Sequence, residues 1–140
     1  MDRRPVPART TTDACKTIPT SDASGTAVYT RAVSGGVTLL GLPTVTATIA
    51  TTGDFGELDS LLFDVAPDGT ERLINRGAYR LTNNQSGSVT FQLHGNGYHF
   101  DAGHTIKLVL LGSDAPYLRR SNDTLFTVQV SNLSVTLPTV

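Results

Sequence analysis

The sequence predicts an all-β chain, a sandwich or jelly roll of roughly eight to ten short antiparallel strands. Three observations predict it. No window keeps the 3.6-residue period of an amphipathic helix beyond about two turns. Several segments alternate apolar and polar residues with the period of two that a half-buried strand requires, Thr44 to Ala50 most cleanly. Clusters of Gly, Asn, Asp and Pro fall between those segments and supply the turns. Composition agrees: charged residues are only 16%, while Thr, Ser, Gly and Val are plentiful, a balance that suits pleated sheet.

With 140 residues, 39% of them hydrophobic, the chain is long enough for one domain with its own core. Residues 1–26 read as a linker or tail, with Pro5, Pro7 and Pro19 among Thr, Ser and Arg and little to bury. Residues 27–140 read as the folded domain. A net charge of −1 offers no basic surface for nucleic acid or an anionic membrane. Cys15 is the sole cysteine, so no internal disulfide can form and both redox compartments stay open. The first residues lack the apolar stretch of a signal peptide, and no run is long enough to span a membrane. The chain is then either cytoplasmic or a piece of a longer protein whose signal lies elsewhere.

The strongest local signal is Leu61 to Gly77. Leu61, Phe63 and Val65 alternate with Leu62 and Asp64, so one face is apolar and the other mixed. Ala66-Pro67-Asp68-Gly69 follows: proline pre-sets φ, aspartate bonds its own backbone, and glycine accepts positive φ. A returning strand from Glu71 to about Asn75 completes a hairpin that should seed the sheet. Earlier in the chain, structure begins at Ala27, turns at Ser34-Gly35-Gly36, and runs as a short strand from Val37 to Leu40. Later, Val89, Phe91 and Leu93 mark one strand. Gly95-Asn96-Gly97 marks a turn, which leaves Tyr98 and His99 in a loop. Ile106, Leu108 and Leu110 form one face of a strand whose other face, Lys107, Val109 and Leu111, is nearly as apolar; that strand belongs in the middle of a sheet. Phe126, Val128 and Val130 are followed by Leu133, Val135 and Leu137 in the opposite parity, which requires a bulge near Ser131-Asn132.

No arrangement of residues carries catalysis. The Gly-x-Ser-x-Gly elbow of an α/β-type serine hydrolase is absent; Gly112-Ser113-Asp114 is a turn after a central strand. His94, His99 and His104 are five apart, a poor spacing for convergence on zinc, so no metal and no cofactor is expected. His104 should hydrogen-bond the turn that opens its strand. Asp54, Glu57 and Asp59 could gather around calcium, but a solvated loop is the plainer reading. Tyr98, His99 and Tyr117 are the side chains that could touch a ligand such as a sugar ring, or equally cover the core edge. A free-standing carbohydrate- or calcium-binding sandwich is therefore the alternative reading.

Two blocks, Asp59 to Leu81 and Phe100 to Asp123, carry a resemblance when taken with Leu40-Gly41-Leu42-Pro43. The matching pieces are the hairpin around Asp64, Pro67, Asp68 and Gly69, the Gly77-to-Arg80 return, Phe100 through Gly103 and His104 to Leu108, and the Ser113-to-Pro116 turn with Asn122 after it. In order and spacing they resemble the C-terminal domain of the X-Pro dipeptidyl-peptidase and cocaine-esterase family of serine hydrolases, over roughly residues 27 to 138. The resemblance implies a galactose-binding-like jelly roll that catalyses nothing itself. It implies an α/β-hydrolase catalytic domain as partner, in the same chain or as a separate subunit, with the triad located there. It also implies a share in walling the active-site cleft and in homo-oligomer contacts. The residues carried over are structural: Asp64, Pro67, Asp68 and Gly69 at the hairpin tip, Gly77 at the return, Gly103 and His104 at the turn into the central strand, Pro116 and Asn122 in a later loop.

Overall fold

A computed structural model describes residues 25–53, 56–112, 114 and 126–140. Cys15, Asp54, Ser113, Pro116, Tyr117 and Asn122, singled out above, lie outside the described residues. Among those described are nine strands and no helix: β1 (Ala27–Ala32), β2 (Val37–Gly41), β3 (Thr44–Thr52), β4 (Glu57–Val65), β5 (Glu71–Arg80), β6 (Ser86–Gln92), β7 (Asn96–Phe100), β8 (Thr105–Leu111) and β9 (Thr127–Thr136).

The antiparallel pairs are nested. β4 pairs β5, β3 pairs β6, β2 pairs β7 and β1 pairs β8, as in a ribbon folded at the hairpin and rolled up. This is a jelly roll. Side-by-side pairing of β4 with β8 builds one layer, ordered β1-β8-β4-β5. In the other layer, β3 carries β6 on one side and β9 on the other. β2–β7 continues that layer past Gly41-Leu42-Pro43, and an isolated bridge from Leu39 to Thr139 ties in the end of the chain. β8 lies between β1 and β4, as its two apolar faces require.

The core between the layers holds Leu39, Val45, Ile49, Leu62, Leu93, Phe100 and Leu110, all under 2% exposed. Val45, Ala47 and Ile49 of β3 point into it and Thr44, Thr46 and Thr48 do not, as the alternation predicts; Thr51, on the inward parity, is buried as well. On β4 the parity is the reverse of the apolar face expected. Leu58 and Leu62 join the core, because Leu62 is paired with Leu108, whose face looks inward. Leu61-Leu62-Phe63 is an unbroken apolar run, so alternation alone could not choose the face. Phe63 and Val109 are buried on the opposite face of the same sheet, together with the Lys107–Glu71 ion pair.

Three further expectations are corrected. β4 starts at Glu57 and not at Leu61. β5 runs unbroken from Glu71 to Arg80, so Gly77 is no return; it sits mid-strand opposite Ser60. Tyr98 and His99 lie in β7 and not in a loop, because the Gly95-Asn96-Gly97 segment turns only as far as the pairing with β2. The β9 bulge is where the parity flip puts it: register shifts between Thr46 and Thr48 of β3, opposite Ser131 to Ser134, and Asn132 has φ 49°.

Gly77 is needed for close approach. A Cβ there would meet Leu93 Cδ2 at 2.9 Å, Leu93 Cα at 3.0 Å and the Gln92 carbonyl oxygen at 3.1 Å, two of them backbone or nearly so. Gly77→Ala should therefore cost about 1–3 kcal/mol by overpacking. The check is urea unfolding, with a lower midpoint and an unchanged slope.

The two long sides of the sandwich differ. On the β5 side the layers are stitched together: the His94 amide donates to the Arg76 carbonyl at 2.9 Å, and Asn96 Nδ2 donates to the Ile74 carbonyl at 2.6 Å. On the other side, the edges of β1 and β9 face each other across a groove of about 650 Å³. Leu62, Ile106 and Leu108 line it from one layer and Leu133, Val135 and Leu137 from the other, with Arg31 and Thr139 among its polar neighbours.

Candidate functional site

Of the sequence-predicted residues, Asp64, Pro67, Asp68, Gly69, Tyr98, Gly103 and His104 lie at the hairpin end of the sandwich. The turn after β4 forms as its residue types dictate. The Ala66 amide donates to the Thr70 carbonyl and the Gly69 amide to the Ala66 carbonyl, both at 2.9 Å, and Gly69 takes φ 86°. Asp68 Oδ1 accepts from the Thr70 amide at 2.9 Å, and that bond holds the carboxyl below its usual range. Gly103, at φ 85°, donates its amide to the Val33 carbonyl at 2.8 Å and aims the next residue, His104, at the hairpin.

Asp64 is the centre of the group. It is 5% exposed and sits on the inward face of β4, at the end of the apolar core. Tyr98 Oη, from β7 in the other layer, donates to Asp64 Oδ2 at 2.6 Å. His104 Nδ1 lies 2.9 Å from Oδ1 and 3.1 Å from Oδ2. A carboxylate only accepts, so the proton of this contact is on Nδ1. Burial, and then the Asp64 hydrogen bond and charge, push the Tyr98 phenol up to about 12, so it remains a donor. The Tyr98 ring packs edge-on against Phe100 with centroids 5.0 Å apart. Both layers are thus pinned to one buried carboxylate.

An aspartate on Nδ1 is also how a general-base histidine is oriented. Among the described residues no hydroxyl or thiol is hydrogen-bonded to His104 Nε2. The chemistry available is that of a structural clamp. The role foreseen for His104 was half of what it does. Its amide bonds the Asp101 carbonyl at 3.2 Å, but its ring reaches across to Asp64. No local spacing could show that reach, since the two residues are 40 apart in sequence.

Of the ligand-contacting candidates, Tyr98 and His99 point to opposite faces of β7. Tyr98 is committed to Asp64, whereas His99, its neighbour on β7, points to the outer face. There His99 Nδ1 is 2.8 Å from Thr38 Oγ1 and Nε2 is 3.7 Å from Asp101 Oδ1. Tyr117 lies outside the described residues, as does Asp54 of the calcium reading. No group of three or more His, Cys, Asp or Glu among the described residues is placed to hold a metal ion. The feature that sequence reasoning missed is the β1–β9 groove, because its walls come from strands far apart in the chain.

No curated protein matches the chain. Among solved structures, an alpha-amino acid ester hydrolase superposes with a TM-score of 0.73 at 16% identity, over 91% of this chain and 28% of the other. An aminopeptidase from the marine sediment archaeon Thaumarchaeota archaeon gives 0.74 at 14% identity, again over 91% and 28%. A CocE/NonD family hydrolase from Staphylococcus aureus gives 0.65 at 12%, over 82% and 30%. These likenesses establish the fold, and the chain spans less than a third of the length of those structures. The family model for the X-Pro dipeptidyl-peptidase C-terminal non-catalytic domain matches residues 6–136. The chain therefore belongs to the family of X-Pro dipeptidyl-peptidase C-terminal non-catalytic domains.

Proposed function

We propose that this sandwich packs on an α/β-hydrolase catalytic domain, of the same parent chain or a separate subunit, and helps shape the cleft in which that domain cleaves esters or X-Pro peptides. The observation that carries the reading is the β1–β9 groove. Ile106, Leu133, Val135 and Leu137 are only partly buried there, between two strand edges that pair with no further strand among the described residues. Leu40 of β2 and Leu42 just after it, at 59% and 49% exposed, add apolar surface. A sandwich that leans on a larger neighbour keeps such surface; one that works alone has reason to cover it.

In the family reading, the catalytic domain supplies nucleophile, base and orienting acid. The sandwich contributes by excluding water and fixing the cleft wall. The purified chain should give no turnover on p-nitrophenyl esters or X-Pro anilides. It should bind a separately prepared α/β-hydrolase domain from the reading frame that adjoins its gene. Leu133→Asp with Leu137→Asp should abolish that binding, and Ser88→Asp on the distant edge strand β6 should not. Turnover by the chain alone that disappears on replacing one of its own serines would refute the reading.

A further inference from the structure

One group of acids is used neither by the clamp nor by the groove. Glu57 and Asp59 stand two residues apart on β4, so their side chains share its outer face. Asp59 is 0% exposed and neither carboxyl oxygen has a hydrogen-bond partner; Glu57 Oε1 is likewise buried and unpartnered. Asp114, just past the end of β8, brings a third carboxyl, whose Oδ2 lies 3.2 Å from Arg76 Nη1.

Among the described residues, the cations on the flanking strands are turned elsewhere or to solvent. On β5, Arg76 is turned to Asp114, and Arg80, opposite Glu57 in register, is exposed. On β8, Val109 and Leu111 face Asp59's side of the sheet, and Lys107, farther along that face, is bonded to Glu71 at 2.9 Å. An ionised carboxylate here would have no counter-charge among the described residues; the Asp114 amide favours the ionised form, but less than burial opposes it. Burial first, and the Glu57 charge next, push the Asp59 carboxyl up to about 7. Once protonated, Asp59 gains an O–H that can donate to Glu57, the neighbouring acid whose Oε1 is buried.

We propose that Glu57 and Asp59 form a proton-binding site, in which one proton shared between the two carboxyls lets the outer face of β4 pack beside β8 and Asp114. The proton is a ligand of the folded state: the unfolded chain releases it in the ordinary carboxylate range. Stability from this site is therefore full below that range and is lost as pH rises toward neutrality.

The test compares urea unfolding of the chain with that of Asp59→Asn, which keeps the shape without the charge. The ratio of the chain's folding constant to the variant's should fall by about fiftyfold between about pH 5 and pH 7. A ratio that does not change with pH overturns the proposal. So does stabilisation of the chain, but not of the variant, by millimolar calcium at neutral pH, which would make the pair a cation site. If Asp59→Asn does not fold, the ¹³Cγ shift of Asp59 in the unaltered chain is followed against pH. A midpoint near neutrality that drops in Glu57→Gln supports the shared proton, and a midpoint in the ordinary carboxylate range refutes it.

Discussion

Lys107→Met is expected to destabilise the chain by about 3–5 kcal/mol, the cost of leaving one member of a buried ion pair alone. The side chains of Lys107 and Glu71 are 8% and 7% exposed, and Nζ lies 2.9 Å from Oε1. Nζ is also 5.9 Å from the centroid of the Phe63 ring. Methionine fills most of the volume, so the loss is one of charge: the Glu71 carboxylate stays buried without this counter-ion. The double variant Lys107→Met with Glu71→Leu should recover most of the loss, because two desolvated charges then leave together. Equilibrium unfolding of the two singles and the double provides the check. A double variant as unstable as the sum of the singles would show that shape, and not charge, is what the pair provides.

Asp64→Ala should cost about 2–4 kcal/mol, since it strips two donors of a charged acceptor in a nearly closed site. The Tyr98 hydroxyl loses its 2.6 Å bond and His104 Nδ1 its contact at 2.9 Å. The variant has a second readout that general damage would not give. Part of the upward displacement of the Tyr98 phenol comes from Asp64, so its alkaline titration should move down toward the ordinary tyrosine range; burial, the larger cause, remains. Asp64→Asn keeps an acceptor and should show both effects in reduced form. Spectrophotometric titration against a Tyr98→Phe reference isolates the one phenol, and an unmoved midpoint in Asp64→Ala would exclude the clamp as described.

The fold was largely legible because strand periodicity and turn chemistry agreed. Thr44 to Ala50 declared its buried face, the Pro67-Asp68-Gly69 turn declared the hairpin, and the parity change near Asn132 declared a bulge that the structure contains. Reading failed where one signal had two meanings. Leu61-Leu62-Phe63 fits either face of a strand buried on both sides, and only pairing with Leu108 decides. Gly77 looked like punctuation, but the reason for it is Leu93, sixteen residues on, which no local rule can see. Of the site, the family-like residues Asp64 and His104 were legible as a pattern, but their contact and the part of Tyr98 were not. The second bulge, which leaves Ile74 of β5 unpaired opposite Leu62 and Phe63, was not legible because Leu73 and Ile74 are both apolar.

The nested pairing has a consequence for how the chain reaches its shape. The innermost pair, β4 with β5, closes across a turn of a few residues, and each pair outside it must span a longer stretch. Closure entropy rises with that span, so a partly assembled ribbon lowers the cost of the next pairing. Assembly then runs like a zipper from the Pro67-Asp68-Gly69 tip outward, and β1, the outermost strand of the set, is last to join and first to leave. Departure of β1 bares Ile106 and Leu108, which makes the strand nearest the groove also the guard of the core beneath it.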